Sequence, residues 1–480
     1  MVFNTSSAAV QAGYSAVPRR KEAADSAAGF SFMLFLFYLV VVLVRPIEFF
    51  DLEALGQMRP MLWLWLGSFM VSIAQALASS RMAAKPAHIV LMCFLVMTIM
   101  LSQLKQGWVG GAILSALDFS TSAGLFALVV LNVTNLKRLK ITCAAVVACV
   151  VWVSATSAFS YHTGFMVEKL VLGQWVSDNY IPEELAAELE NTVPARDTSG
   201  MRLWRIRGLG FMSDPNDLAQ AMVMVLPLLW GMARHGHRFA NLLFVWLPCL
   251  FLAYAVYLTH SRGAVLGLAS LFFFALRERL GLLKTMLAVG CVGAGALVVG
   301  LGGGRGFSSE EESAGDRITA WYEGIQMLKN NLLLGVGYGN FLDHHHLTAH
   351  NSFVLCFAEL GLVGYFFWTG LIVLVYRGLG KVIAEGAVDS EERKLAILLR
   401  SAVVGFLTCA WFLSRTYQPT LYLLLGLATA TWYCWAKQAG SRREHAQRGQ
   451  LPWALPALGA MVISIVAVYG FIVMDSFLVK

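Results

Sequence analysis

Thirteen continuous runs of apolar residues constrain the fold of this chain more than any other feature of its sequence. Because these runs do not alternate with polar residues, they exclude a membrane β-barrel. With 58% hydrophobic and 14% charged residues over 480 positions, the chain is too apolar for a water-soluble globular protein. The runs lie near residues 30–49, 60–78, 86–104, 112–131, 140–158, 216–232, 240–258, 262–276, 285–301, 352–376, 396–413, 419–436 and 453–475. The sequence therefore predicts an all-α, polytopic integral membrane protein with about 12–13 transmembrane helices.

Lysine and arginine are concentrated in every second loop between these runs. More than half of the 36 basic residues fall there if the amino terminus is cytoplasmic. The basic loops lie near residues 19–21, 81–85, 137–140, 234–238, 277–284, 377–394 and 437–448. This alternation follows the positive-inside rule and predicts a multi-pass protein of the cell inner membrane with a cytoplasmic amino terminus. The net charge of +7 is then a topology signal, and it gives no reason to expect a nucleic-acid partner.

The same pattern divides the chain into six parts. The first apolar run begins near Gly29 and has no small-residue cleavage site after it, which predicts a retained signal anchor. Two long loops are predicted on the outer, periplasmic face, and the middle of the first one, PEELAAELENTV, is predicted to form a short surface helix. The parts are a cytoplasmic tail 1–28, spans one to five in 29–160, outer loop 161–211, spans six to nine in 212–301, outer loop 302–350, and spans ten to thirteen in 351–480.

No residue pattern favours a metal or another cofactor. All eight cysteines lie in predicted spans without a CxxC pair, which indicates apolar packing. In DHHHLTAH, His346 and His350 are spaced to share a helical face. Adjacent histidines cannot all face one ion, however, and neither a cysteine nor a second carboxylate cluster supports them. We therefore predict no metal and no cofactor.

The end of the first outer loop, RLWRIRGLGFMSDPND, places Arg205 and Arg207 on the outer side, against the charge bias. Two interpretations remain open: these side chains snorkel beside lipid head groups, or at least one of them binds a substrate phosphate. Asp214 is predicted to cap the sixth span, with Pro215 at its first helical position. Asp214 is also a candidate for contacting an acceptor or orienting an arginine.

His260 and Arg262 fall in a turn of a few residues in YLTHSRGAVLGL, so Arg262 is held at or inside the outer interface. An arginine inside a bilayer costs roughly 2.5–3.5 kcal/mol on insertion scales, and such residues usually face a partner or a wet cavity. A substrate-binding role is one interpretation. The other is that Arg262 caps the carbonyls that end span seven.

The second outer loop carries Arg317 near its start and His350 at its end, where Asn351 and Ser352 are suited to cap the tenth span. A cation and a titratable imidazole are thus delivered to one interface. His350 is interpreted either as a functional base or as a structural interfacial histidine. Glu359 lies about two and a half turns into the tenth span and is a candidate for orienting a neighbour or pairing with a buried arginine.

Three stretches together resemble the O-antigen ligase and polymerase family of bacterial surface-polysaccharide assembly, which includes lipid A-core ligases, O-unit polymerases and protein O-oligosaccharyltransferases. They are GFMSDPNDLAQAMVMVLPLL, LTHSRGAVLGL, and DRITAWYEGIQMLKNNLLLGVGYGNF followed by AHNSFVLCFAELGLVGYFFW. The resemblance covers roughly residues 200–370. It implies a glycosyltransferase-C-like architecture of about twelve spans, with a large outer loop before the histidine.

The resemblance also implies residue roles. Arg262 and Arg317 are expected to hold the diphosphate of an undecaprenyl-diphosphate-linked glycan, and His350 is expected to activate the acceptor hydroxyl. Guanidinium groups bind phosphate oxygens bidentately and stabilise the leaving diphosphate without a metal, while imidazole titrates near neutrality. Attack opposite the leaving group would invert the anomeric centre.

The donor partner is then a polyprenyl-linked glycan in the membrane lipid, with polysaccharide-assembly proteins as candidate partners. A glycan, lipid A-core or a protein hydroxyl remain open as acceptors. Two other classes remain open as well: a transporter of lipid-linked substrate and a non-catalytic assembly protein. The clustering of polar residues at one membrane face favours the transferase, because transporters place their sites near the midplane.

Overall fold

The computed structural model of the chain describes residues 29–52, 56–78, 86–175, 192–281, 283–286, 312–438 and 451–478. The predicted cytoplasmic tail lies outside these residues. So do nearly all of the predicted ninth span, Cys291, the start of the second outer loop, and most of the surface helix predicted in PEELAAELENTV.

Twelve of the thirteen predicted runs are helical within the described residues, and 8 helices are long and apolar enough to span a membrane. This confirms the all-α, polytopic membrane fold. The helices are α1 (29–44), α2 (Pro46–Phe49), α3 (Pro60–Ala78), α4 (Pro86–Lys105), α5 (Val109–Asn132), α6 (Leu136–Thr163), α7 (Val167–Leu170), α8 (Pro215–Trp230), α9 (Arg238–Leu258), α10 (Arg262–Leu280), α11 (Glu312–Asn330), α12 (Ser352–Glu385), α13 (Glu391–Ala410), α14 (Pro419–Gln438) and α15 (Ala454–Leu478).

The first outer loop contains a two-stranded antiparallel sheet that the sequence analysis did not predict. Strand β1 (Val171–Trp175) pairs with β2 (Arg202–Ile206), with Leu172 opposite Arg205. Each strand has only five residues, and the two are far apart in the sequence, so the period-two pattern is too short to be seen locally. The sheet matters for the site because it presents Arg205 toward the start of α8.

Helix α12 is the centre of the bundle and packs against α4, α11, α13, α14 and α15. Most of its side chains are buried, including Tyr365 and Trp368. Small residues let neighbouring helices approach closely, as is usual in membranes. A Cβ at Gly267 of α10 would lie 2.5 Å from the sulfur of Cys409 in α13. The helix that follows His350 is therefore fixed on several sides.

Helix α12 is broken near its outer end, at Gly361. This residue has φ 64° and ψ −167°, which ends one helical segment and starts another. The backbone of the preceding loop fills the break: the amide of Val336 donates to Ala358 O (2.9 Å) and the amide of Leu362 donates to Leu332 O (2.9 Å). Buried backbone groups freed by the break are thus paired, as a membrane interior requires.

The loop that fills the break is the glycine-rich GVGYGN segment, residues 335–340. Its glycines 335, 337 and 339 all have positive φ, a conformation that suits glycine. The end of α4 holds it through Ser102, which accepts from the Tyr338 amide (3.1 Å), and Gln106, which donates to Val336 O (2.8 Å). The segment is a rigid support under the outer end of α12.

Hydrogen bonds gather the predicted outer segments at one end of the bundle. There, Trp321 of α11 reaches Ala349, Thr348 reaches Ser414, and Arg205 reaches Thr259. Two segments predicted on the cytoplasmic side also meet, because Lys140 at the start of α6 pairs with Glu391 at the start of α13 at 2.9 Å. The side of the membrane that each group of loops faces stays a prediction.

The break in α12 leads to a stability prediction. A Cβ at Gly361 would lie 2.4 Å from the carbonyl carbon and oxygen of Leu333, at a φ that L side chains rarely adopt. We expect Gly361→Ala to destabilise the protein by several kcal/mol, measured as a fall in the thermal inactivation temperature in detergent. Gly459 in α15 has no atom within 4 Å of its Cβ position, so Gly459→Ala should be neutral or slightly stabilising. Equal stability of both variants would contradict the strained break.

The topology prediction is tested with exposed positions at the two ends. Thr198 lies in the first outer loop and Asp389 in a predicted cytoplasmic loop, and both are exposed. In a background without reactive native cysteines, Thr198→Cys should react with a membrane-impermeant thiol reagent on cells whose outer face is accessible. Asp389→Cys should react only after the membrane is permeabilised. The reverse pattern would invert the orientation.

Candidate active site

His350 occupies a strained turn immediately before α12. Its φ is 48°, in the left-handed region that a non-glycine residue adopts only when its surroundings require it. Asn351 is the N-cap of α12, and its side-chain oxygen accepts from the amides of Phe353 (2.9 Å) and Val354 (3.2 Å). The Asn351 cap predicted from the sequence is confirmed.

Two other parts of the chain hold this turn from both sides. From α11, the indole nitrogen of Trp321 donates to Ala349 O (2.9 Å). From the connection between α13 and α14, Ser414 pairs with the hydroxyl of Thr348 (2.9 Å). The position of His350 therefore depends on three elements that are distant in sequence.

The surroundings of His350 favour its neutral form. Burial lowers the pKa of His350 below its usual value, and the nearby positive charges of Arg317 and Arg415 lower it further, while Asp214 acts in the opposite direction. Arg317 lies one helical turn before Trp321 in α11, which explains why it comes close to the histidine turn. A neutral imidazole at neutral pH is able to accept a proton.

The start of α8 forms a second wall of the site. Asp214 is its N-cap and accepts from the Asn216 amide (2.7 Å), with Pro215 at the first helical position, as predicted. The second oxygen of the Asp214 carboxylate lies 3.7 Å from a terminal nitrogen of Arg415. One turn further, the buried carboxylate of Asp217 accepts a hydrogen bond from the same guanidinium.

The His260–Arg262 turn resembles the His350 turn in its backbone. His260 also has φ 48°, and Ser261 caps α10 by accepting from the Ala264 amide (3.4 Å). Arg262 is the first residue of α10. The carbonyl of its neighbour Gly263 contacts the sulfur of Cys409 at 3.5 Å, so this turn lies against the end of α13 that leads to Arg415.

Arg205 connects the walls of the site. It is 6% exposed, and its guanidinium donates to Thr259 O (2.8 Å) and to the side chain of Asn216 (3.0 Å). These bonds tie β2 to the turn that carries Arg262 and to the start of α8. This burial contrasts with snorkelling beside lipid head groups, one of the two interpretations of this residue.

Arg207 lies in a different place. It donates to the backbone oxygens of Lys169 (3.0 Å) and Glu168 (2.6 Å), and it lines an open cleft of about 480 Å³ beside α2. Glu48, Asp51 and Lys169 also line this cleft. This cleft is lined by other residues than the charged groups that act on His350, which are Arg317, Arg415 and Asp214.

Glu359 supports the break in α12. Its side chain is buried, and one carboxylate oxygen accepts from the amide of Phe341 (3.3 Å), just after the glycine-rich segment. The hydroxyl of Tyr417 lies near the same carboxylate. These contacts suit the orientation of neighbouring groups, which is one of the roles considered for Glu359 beside pairing with an arginine and catalysis, and its role stays a prediction.

The side chains of the three adjacent histidines do not converge on one point. His344 contacts Asn340 O at 3.1 Å, and the rings of His345 and His346 lie 4.4 Å apart. Within the described ranges, no group of three His, Cys, Asp or Glu side chains is placed to hold a metal ion.

Arg415 was not among the site residues predicted from the sequence. This arginine lies in SRTYQPT, the short connection between α13 and α14. It lies on the predicted outer side, against the charge bias, which is the argument that singled out Arg205 and Arg207. The signal was therefore present in the sequence.

Comparison with known proteins agrees with the resemblance. Residues 247–369 match the family model described as O-antigen ligase, and the match includes Arg262, Arg317, His350 and Glu359. A comparison with curated proteins gives no match. The match supports a glycan transferase of the O-antigen ligase or polymerase type in a multi-pass membrane protein. The match of residues 247–369 to this family model confirms the resemblance indicated by the sequence motifs.

Proposed function

We propose that this protein transfers an oligosaccharide or polysaccharide from undecaprenyl diphosphate to an acceptor hydroxyl at the periplasmic face of the inner membrane. The observation that carries the proposal is the His350 turn. It holds an imidazole whose pKa is lowered by burial and by two arginines, and it lies within the residues that match the O-antigen ligase family model. The neutral histidine is the base, and the cations beside it suit an anionic donor.

Arg317 and Arg262 bind the diphosphate of the donor in this proposal. A polyprenyl diphosphate keeps its tail in the lipid and its charged head at the interface, where the planar guanidinium group matches phosphate oxygens. Negative charge on the diphosphate increases as the sugar–phosphate bond breaks, so fixed cations stabilise the transition state more than the bound donor.

The chemical step proceeds by direct displacement. His350 accepts the proton of the acceptor hydroxyl while the acceptor oxygen attacks the anomeric carbon. The bond between that carbon and the diphosphate oxygen breaks, its electron pair leaves with undecaprenyl diphosphate, and the anomeric configuration inverts. The imidazolium then releases its proton to solvent.

In this proposal, donor binding increases the basicity of His350. In the free protein the positive charges of Arg317 and Arg415 disfavour the imidazolium form of His350. A bound diphosphate supplies negative charge beside these cations and offsets their effect. The histidine thus stays neutral before the donor arrives and becomes more basic when there is a proton to remove.

We expect His350→Ala to lower transfer by roughly 10²–10⁴-fold, the usual effect of losing a positioned base. The variant should still insert in the membrane, and its activity is measured with a polyprenyl-diphosphate glycan by mass spectrometry of the product. His344→Ala is the matched control, because this histidine is exposed and its ring contacts the backbone oxygen of Asn340. The control should keep wild-type transfer.

The pH dependence of transfer has a defined sign. Because the pKa of His350 is lowered and the neutral form is active, transfer should rise with pH as the imidazole loses its proton. The kcat/KM for transfer, which reports the pKa of the free protein, should level off at a lower pH than it would with an unperturbed histidine. Near-normal transfer by His350→Ala would exclude His350 as the catalytic base. If the wild-type protein supports polysaccharide assembly but has no transfer activity, an assembly protein or a transporter is favoured.

We expect Arg317→Ala and Arg262→Ala each to lower transfer more than tenfold, since a hydrogen bond to a charged group contributes about 1.5–3 kcal/mol. Lysine at either position should restore only part of the activity, because it keeps the charge but loses the bidentate geometry. Arg196→Ala is the control, since Arg196 is exposed in the first outer loop. The same steady-state assay measures all variants, and wild-type rates in both alanine variants would contradict diphosphate binding.

A further inference from the structure

The connection between α13 and α14 holds both flanks of His350, although the proposed chemistry does not use it directly. On the amino-terminal side, the hydroxyls of Ser414 and Thr348 are 2.9 Å apart. On the carboxyl-terminal side, the amide of Arg415 donates to Ser352 Oγ (2.8 Å), and the Thr416 hydroxyl donates to Ser352 O (2.6 Å). Three consecutive residues of the connection thus fix the turn that carries the histidine.

The side chain of Arg415 points into the same region and is anchored there. Its Nε donates to the buried carboxylate of Asp217, and one terminal nitrogen donates to Ser414 O (3.3 Å). The other terminal nitrogen lies 3.7 Å from the Asp214 carboxylate. Only 21% of this side chain and 9% of the Asp217 side chain are exposed. The guanidinium is therefore held in one position by the first turn of α8.

We propose that Arg415 is a positioning residue for His350: anchored by Asp217, it locks the histidine turn to α8 and places a fixed positive charge beside the imidazole. This inference rests on the proposed function of His350 as the base. It assigns a role to a residue outside the matched domain and to a connection between two helices.

The charges around His350 support a role that acts through the histidine. Three elements bring charged groups that act on it: Arg317 from α11, Asp214 from the start of α8, and Arg415 from the α13–α14 connection. Arg415 is engaged by a carboxylate, whereas a diphosphate ligand needs guanidinium nitrogens turned toward the substrate. Its charge still reaches the imidazole and lowers the pKa of His350.

The experiment compares Arg415→Gln with Arg415→Lys in the full-length protein in detergent. Histidine labelled with ¹³C at Cε1 is titrated by NMR, and His350→Gln identifies the His350 signal among the 10 histidines. The pH profile of transfer is measured on the same samples. Arg377→Gln is the matched control, because Arg377 is exposed in the part of α12 that lies away from the site.

We expect Arg415→Gln to move the His350 titration to higher pH and to move the rising limb of the transfer profile with it. At neutral pH its transfer should fall by roughly tenfold to a hundredfold, as for the loss of a charged hydrogen bond. Arg415→Lys should keep the titration near its wild-type position because the positive charge remains. Arg377→Gln should match the wild type in both measurements.

A His350 titration and a pH profile that are unchanged in Arg415→Gln would overturn the proposal. The NMR titration reports on Arg415 even if His350→Ala turns out to be active, so failure of the proposed function is seen separately. If Arg415→Gln does not fold because Asp217 is left unpaired, the double variant Asp217→Asn with Arg415→Gln removes both charges. The same upward shift is then expected, and its absence overturns the proposal.

Discussion

The need to pair every buried backbone group within the membrane shapes the outer half of this protein. Helix α12 gives up its regular hydrogen bonds at Gly361, and the preceding loop supplies replacements through the Val336 amide and the Leu332 carbonyl. Such a break is tolerated at membrane depth only when protein covers it. The side chains of α4 and the carboxylate of Glu359 in turn hold the glycine-rich segment in place. The result is a stiff platform around the break in the helix that follows the His350 turn.

The site is assembled from the ends of helices. His350 precedes α12, Asp214 caps α8, and Arg262 begins α10. Helix N-termini are positively polarised, which suits an anionic head group at the interface. Short polar turns between long apolar helices can therefore form a reactive centre without a large soluble domain, provided that other elements fix the turns. Trp321 and the α13–α14 connection do so here.

Burial and the nearby charges of Arg317 and Arg415 lower the pKa of His350, which favours its neutral form. Under the proposed function, the same cations attract the diphosphate, and its negative charge offsets their effect on the histidine. Buried ion pairs contribute little net stability, but breaking one is costly. The Arg415–Asp217 pair is thus better explained by the fixed geometry it gives to the His350 turn than by the stability of the bundle.

Local sequence was enough to predict the long apolar helices, because a span needs only a run of apolar side chains and a cap, whereas the amphipathic helix α11 was not predicted. Residues close together in the chain determine three features. These are the helical structure of twelve apolar runs, the Asp214 and Asn351 caps, and the family motifs. Only the tertiary structure shows that β1 pairs with β2, that the preceding loop fills the break at Gly361, and that Arg415 contacts Asp217. These features join residues up to two hundred positions apart, and a periodic pattern along one segment carries no information about which distant segment will lie against it.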